Sequence, residues 1–171
     1  MTQLFPAIFL DRDRTLNPDP GYISCPEDFA LFPGVGEALK HLQVLGFKLI
    51  VITNQSGIGR GFFSEQDLAS IHQKMRLLLR AYEVELDGIY YCPHRPEEDC
   101  VCRKPRPGMI FRAAKEHDVD LSRSWVIGDS DVDQGLATAI GCRFLRVDEA
   151  HALPQLVIQY GSALAASVRN G

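Results

Sequence analysis

Three short, nearly unbroken apolar runs, Ala7–Leu10, Phe47–Thr53 and Trp125–Gly128, each stop at a cluster of polar residues. A strand with apolar side chains on both faces has to be covered on both faces, which is the condition inside a parallel sheet flanked by helices. Two further strands are expected at Leu86–Tyr91 and Cys142–Val147. Helical spacing separates them. Val35, Ala38, Leu39, Leu42 and Leu45 repeat as one helix face ahead of Gly46, a residue suited to ending a helix. Leu68, Ile71, Met75, Leu78 and Tyr82 form a second stripe, opened by Ser64-Glu-Gln-Asp67, a capping box in all but its last side chain. Shorter helices are expected over Gly108–His117 and Val132–Ile140. This alternation predicts an α/β, Rossmann-like parallel sheet with right-handed crossovers and helices on both faces.

With 171 residues there is room for one domain, expected over residues 1–150 with 151–171 as its terminal helix and tail. Apolar residues at 46% and charged residues at 23% fit a folded domain and exclude wholesale disorder. No apolar run approaches the ~20 residues of a membrane span, and Met1–Leu10 lacks the basic start of a secretory signal. A net charge of −4 argues against a general nucleic-acid binder. The cysteine count is five, odd, with three of them inside Cys92–Cys102, which argues against a disulfide framework. A cytoplasmic monomer without membrane or nucleic-acid partners is the expectation.

Ligands of such sheets bind at the carboxyl ends of the strands. Asp11 and Asp13 follow the first strand at i and i+2, so both carboxylates can project from its tip. Two carboxylates that close call for a cation between them; the alternative is a solvated acidic turn. Thr53-Asn54 ends the second strand and leads through Gln55 and Ser56 into a loop with Gly57, Gly59 and Gly61, a source of neutral donors and backbone N–H groups for an anion. Gly128-Asp129-Ser130-Asp131-Val132-Asp133 ends the fourth. Asp129 is the better metal ligand there, while Asp131 and Asp133 can cap the following helix. Such an oxygen set suits Mg²⁺ bridging carboxylates to a phosphate, and Lys104, ahead of the third helix, can add a point charge to that phosphate.

Cys92-x-His94 and Cys100-x-Cys102, five residues apart, make a complete Cys₃His set. Four protein ligands leave no position open for a reactive water, so a Zn²⁺ here is expected to be structural and to stiffen the loop 92–105. The alternative is two chance pairs of free cysteines.

Asp-x-Asp-x-Thr after the first strand, Thr-Asn after the second, a lysine before a helix and Gly-Asp-x-x-x-Asp after the fourth resemble the haloacid dehalogenase (HAD) superfamily of phosphohydrolases. Asp19-Pro20-Gly21-Tyr22, Thr53-Asn-Gln-Ser-Gly-Ile58 and the Cys92–Pro105 segment are similar, more narrowly, to its zinc-loop subgroup acting on heptose bisphosphate and histidinol phosphate. The resemblance implies Asp11 as nucleophile, Asp13 as general acid/base, and Thr53 and Lys104 as stabilisers of the transferring phosphoryl group. It implies Mg²⁺ held by Asp11, the backbone carbonyl of Asp13, and Asp129, and substrate contacts from Asp19, Pro20, Gly21, Tyr22, Asn54, Gln55, Ser56, Arg103 and Ser130. The implied substrate is a small phosphorylated sugar, a heptose 1,7-bisphosphate losing its 7-phosphate in heptose nucleotide or lipopolysaccharide-core synthesis, with histidinol phosphate as the alternative.

Two positions depart from the family pattern: Arg14 replaces a glycine and Ser130 a basic residue. Arg14 is therefore expected beside Asp13, making up part of the charge missing at Ser130. Readings of another class are a phospho-receiver module, which would need its acceptor Asp where Cys92 stands, and an inactive zinc-stabilised relative. His41, His72, Cys25, Cys142, Trp125, Tyr90 and Tyr91 read as packing or surface groups. The length leaves no room for a separate cap domain, so the loops 17–33 and 92–107 are expected to flank the site.

Overall fold

The computed structural model describes residues 3–169. Five strands, β1 (Ala7–Leu10), β2 (Lys48–Asn54), β3 (Gly88–Cys92), β4 (Trp125–Gly128) and β5 (Arg143–Arg146), form one sheet in the order β3-β2-β1-β4-β5, and every neighbouring pair is parallel. The order reverses at β1, which lies between β2 and β4. Strand side chains alternate between two apolar layers, as the period of two requires. Ile8, Leu10, Leu49, Val51, Trp125 and Ile127 pack with helices α1 (Val35–Leu45) and α2 (Glu65–Arg80). Ala7, Phe9, Ile50, Ile52 and Val126 pack on the other side with α3 (Gly108–Glu116) and α4 (Asp131–Ile140).

Local signals set the boundaries. Gly46, in the left-handed region at φ 106°, closes α1. At the start of α2 the box does close: Asp67 N–H donates to Ser64 Oγ while the Asp67 carboxylate accepts from Ser64 N–H. An aspartate one methylene shorter than the usual glutamate still reaches. β2 begins one residue later than the apolar run and β3 two residues later, because Asp87 turns back to accept from Leu49 N–H at 2.8 Å and so binds the entry of β3 to β2. Cys142 falls just outside β5, with its thiol donating to Leu121 O.

The C-terminal segment differs from expectation. Instead of one helix and a tail it folds as α5 (Leu153–Gln159) and α6 (Gly161–Arg169), and Leu153, Leu156, Val157 and Leu164 are buried in the α1 layer. Trp125 Nε1–H donates to Ser167 Oγ at 3.0 Å, tying α6 to β4. Residues 170 and 171 of the expected tail lie outside the described residues. Among the described residues no helix is long and apolar enough to cross a membrane.

Candidate active site

Parallel register delivers the polar groups to one edge. Leu10 is level with Val51 on β2 and Ile127 on β4, and Asp11 N–H donates to Ile127 O at 2.9 Å. One to three residues further along the strands lie Asp11, Thr53-Asn54 and Gly128-Asp129. They line an open crevice of about 350 Å³, together with Asp13, Arg14, Lys104 and the 19–23 loop.

The ammonium of Lys104 is the central charge. It is 5% exposed and lies 2.9 Å from Asp11 Oδ1 and 2.7 Å from Asp133 Oδ1. Burial pulls the Lys104 pKa down, but the two carboxylates more than offset it and leave the lysine above its ordinary value. Asn54 sets the depth of this lysine, with its side-chain oxygen accepting from Lys104 N–H and its amide donating to Lys104 O. Both ends of the Asn54 amide are thus spent on Lys104 backbone.

Asp133 does more than its capping reading implied. It is 1% exposed, closes a capping box with Ser130 at the start of α4, and anchors Lys104 through its other oxygen. Gly128 makes room for it: a Cβ at that position would lie 2.4 Å from Asp133 Cγ. Ser130, expected to touch substrate, gives its hydroxyl proton to Asp133 at 2.6 Å while its side chain still lines the crevice.

Burial pushes the Asp11 carboxyl up to about 7, with Asp133 and Asp13 adding to the rise and Lys104 opposing it. Asp11 takes both the Lys104 ammonium and the Arg12 N–H on Oδ1, which leaves Oδ2 for a further ligand. Thr53 Oγ accepts from Gln55 at 2.8 Å, so its hydroxyl proton is available to an anion. Asp13 accepts from four donors, Arg12 Nε and Nη2, Asn17 Nδ2 and Gln55 Nε2, at 2.9–3.0 Å, and still lines the crevice. The cation beside Asp13 is therefore Arg12. Arg14, expected there, turns to Asp129, with Nη2 2.8 Å from Oδ2. Its backbone lies at φ 61°, a conformation in which glycine carries no Cβ penalty.

Oxygen atoms of Asp11, Asp129 and Asp133 come within 4.8 Å of one another. Since both Asp133 oxygens are engaged, Asp11 and Asp129 are the carboxylates that fit a divalent cation, an all-oxygen set of the kind Mg²⁺ takes. At the end of β3 and on the loop after it, Cys92 Sγ, His94 Nδ1, Cys100 Sγ and Cys102 Sγ converge, with separations of 3.2–3.5 Å between neighbouring atoms. The edge of a zinc–sulfur tetrahedron is about 3.8 Å, so the donors fit one ion closely gathered. The loop leads straight into Arg103 and Lys104. Asp19, Gly21, Tyr22, Asn54 and Gln55 line the crevice as expected substrate contacts would, whereas Pro20, Ser56 and Arg103 stand outside its lining, Arg103 donating to His94 O.

A HAD-hydrolase-like family model matches residues 101–161. A D-glycero-beta-D-manno-heptose-1,7-bisphosphate 7-phosphatase of Helicobacter pylori strain J99 is 50% identical over 128 residues, 74% of each chain. The chain belongs to the heptose-bisphosphate phosphatase family of HAD-like hydrolases. The enzyme of the same name from H. pylori strain 26695 is 44% identical over 156 residues, 90% of each chain. Among solved structures, a D,D-heptose 1,7-bisphosphate phosphatase from B. bronchiseptica, complexed with magnesium and phosphate, superposes with a TM-score of 0.84 at 32% identity, over 92% of this chain and 99% of that one.

A carboxyl raised on folding binds its proton more tightly folded than unfolded, so its contribution favours the folded state at low pH and is lost as pH rises through about 7. His72, lowered to about 3 by burial and then by Arg12, acts in the opposite direction, but only below about 6.5. Asp11→Asn also takes one carboxylate from Lys104, an offset common to both pH values, so the Tm of the metal-free variant relative to wild type should be more favourable at pH 8 than at pH 5 in thermal denaturation. The same Tm difference at both pH values would contradict the assignment.

Proposed function

We propose that this chain removes the 7-phosphate of D-glycero-D-manno-heptose 1,7-bisphosphate, using Mg²⁺ and an aspartyl-phosphate at Asp11. The observation that carries this reading is the Asp11–Lys104–Asp133 arrangement at the strand tips of a chain 50% identical, over 128 residues, to a heptose-bisphosphate phosphatase. Asp11 Oδ attacks phosphorus as the P–O bond to the sugar breaks. Asp13 gives its proton to the departing sugar oxygen, then takes one from the water that attacks the acyl phosphate, releasing inorganic phosphate and restoring Asp11. Lys104 and the Thr53 hydroxyl hold charge on the equatorial phosphoryl oxygens throughout. Mg²⁺, held by Asp11, Asp129 and the Asp13 carbonyl, would neutralise charge on the phosphoryl oxygens and on the two carboxylates.

In this reading Zn²⁺ on Cys92, His94, Cys100 and Cys102 is structural. Three thiolates and a neutral imidazole bring it to a net charge near −1 and pin the segment that feeds Arg103 and Lys104 into place. Arg103 has the planar fork that suits a second phosphate or sugar hydroxyls once the substrate is bound. Asp19–Tyr22 and Gln55 supply the sugar-facing wall. Arg14 pairs with Asp129 when no cation is bound and is free to meet the substrate when one is.

Phosphate release should be measured on heptose 1,7-bisphosphate and histidinol phosphate side by side. The expected result is Mg²⁺-dependent turnover of the heptose ester, absent in Asp11→Asn, from protein that carries one zinc per chain and loses it in Cys102→Ser. Faster release from histidinol phosphate would overturn the substrate. Because Arg14 competes for Asp129, Arg14→Gly should tighten Mg²⁺ binding about two- to fivefold by calorimetric titration, the range of an exposed ion pair; an unchanged affinity would show that the pair does not oppose the metal.

A further inference from the structure

One buried contact reaches from the catalytic strand tip into the middle of α2. Arg12 is 1% exposed, an unusual state for a guanidinium, and its donors are shared out in two directions. Nε and Nη2 form a fork on the two oxygens of Asp13, at 2.9 and 3.0 Å. Nη1 lies 3.2 Å from Nε2 of His72, which is itself 8% exposed. A guanidinium only donates, so His72 Nε2 is the acceptor and the ring proton resides on Nδ1. The imidazole is neutral here, with burial and then the Arg12 charge holding its pKa at about 3. Phe29 lies 6.0 Å from the guanidinium carbon, on the loop that precedes α1.

We propose that His72 is a positioning residue for the proton-transfer step: by fixing Nη1, it sets the plane of the Arg12 fork and so the place of the Asp13 carboxyl between Asn17 and Gln55. A fork held at only one end can rotate about its stem, and the carboxyl it carries would move with it. A misplacement of about 1 Å is enough to cost a hundredfold in a proton transfer. This inference rests on Asp13 being the general acid. His72 is not among the residues that line the crevice.

Leaving groups separate this role from simple packing. A sugar alkoxide needs a proton to depart, whereas p-nitrophenolate does not, and kcat/KM reports only steps up to departure of the leaving group. In His72→Leu, kcat/KM on the heptose bisphosphate should fall about ten- to hundredfold, while kcat/KM on p-nitrophenyl phosphate should stay within about twofold of wild type. His72→Gln, whose side-chain oxygen can accept from Arg12, should recover most of the loss. If His72→Leu does not fold, Arg12→Lys, which keeps the charge without the fork, should give the same split. Equal losses on both esters, or none on either, would overturn the positioning role. Wild-type protein inactive on both esters would instead sink the phosphatase reading and this inference with it.

Discussion

The structure is organised around one buried ammonium. Lys104 has almost no contact with water, and a lysine in that state is tolerable only beside carboxylates. Asp11 and Asp133 provide them, and each belongs to a different strand end: Asp11 to β1, Asp133 to the first turn of the helix after β4. Asn54, the last residue of β2, holds the lysine backbone from the third side. Three neighbouring strands must therefore be in register before the charge is satisfied. The active arrangement and the stability of the sheet edge are in this sense one problem. The same burial keeps the Asp11 carboxyl high in the absence of a cation, so the site is poised for a positive ligand.

Loops supply part of the crevice wall. The chain between β1 and α1 supplies Asp19, Gly21 and Tyr22 to the crevice, and Tyr22 packs edge-on against Phe62 from the loop after β2, with ring centroids 4.9 Å apart. The segment from the end of β3 to α3 carries the Cys₃His cluster and, directly after it, Arg103 and Lys104. A metal ion on these four donors would hold a short segment that has too few apolar residues for its own core. The first segment lines the open crevice directly, and the second reaches it through Lys104.

Much of this was legible in the sequence because it depends on short-range chemistry. Apolar runs ending in Asp11-x-Asp13, Thr53-Asn54 and Gly128-Asp129 predict both the parallel sheet and the edge where its ligand lies. Cys92, His94, Cys100 and Cys102 are recognisable from spacing alone. What escaped depends on long-range contacts. Asp133 reads as a helix cap and is one, but its second oxygen meets a lysine 29 positions earlier. His72 falls on the stripe of α2, and only the fold brings it to Arg12, 60 positions away. Arg14 is adjacent in sequence to Asp13 yet, in its left-handed backbone conformation, points to Asp129. The C-terminal pair of helices escaped because Ala- and Ser-rich residues form a weak stripe, and it is the α1 layer that draws Leu156 and Leu164 inward.

In the proposed mechanism Asp11 itself carries the phosphoryl group. Turnover of the heptose bisphosphate with Mg²⁺, stopped by acid within the first catalytic cycles and followed by peptide mass spectrometry, addresses it directly. The expected result is the mass of one phosphoryl group on the peptide containing Asp11, localised to that residue and absent from Asp11→Asn. Full turnover with no acid-stable adduct on that peptide, or an adduct on Asp13 or Asp129, would contradict it.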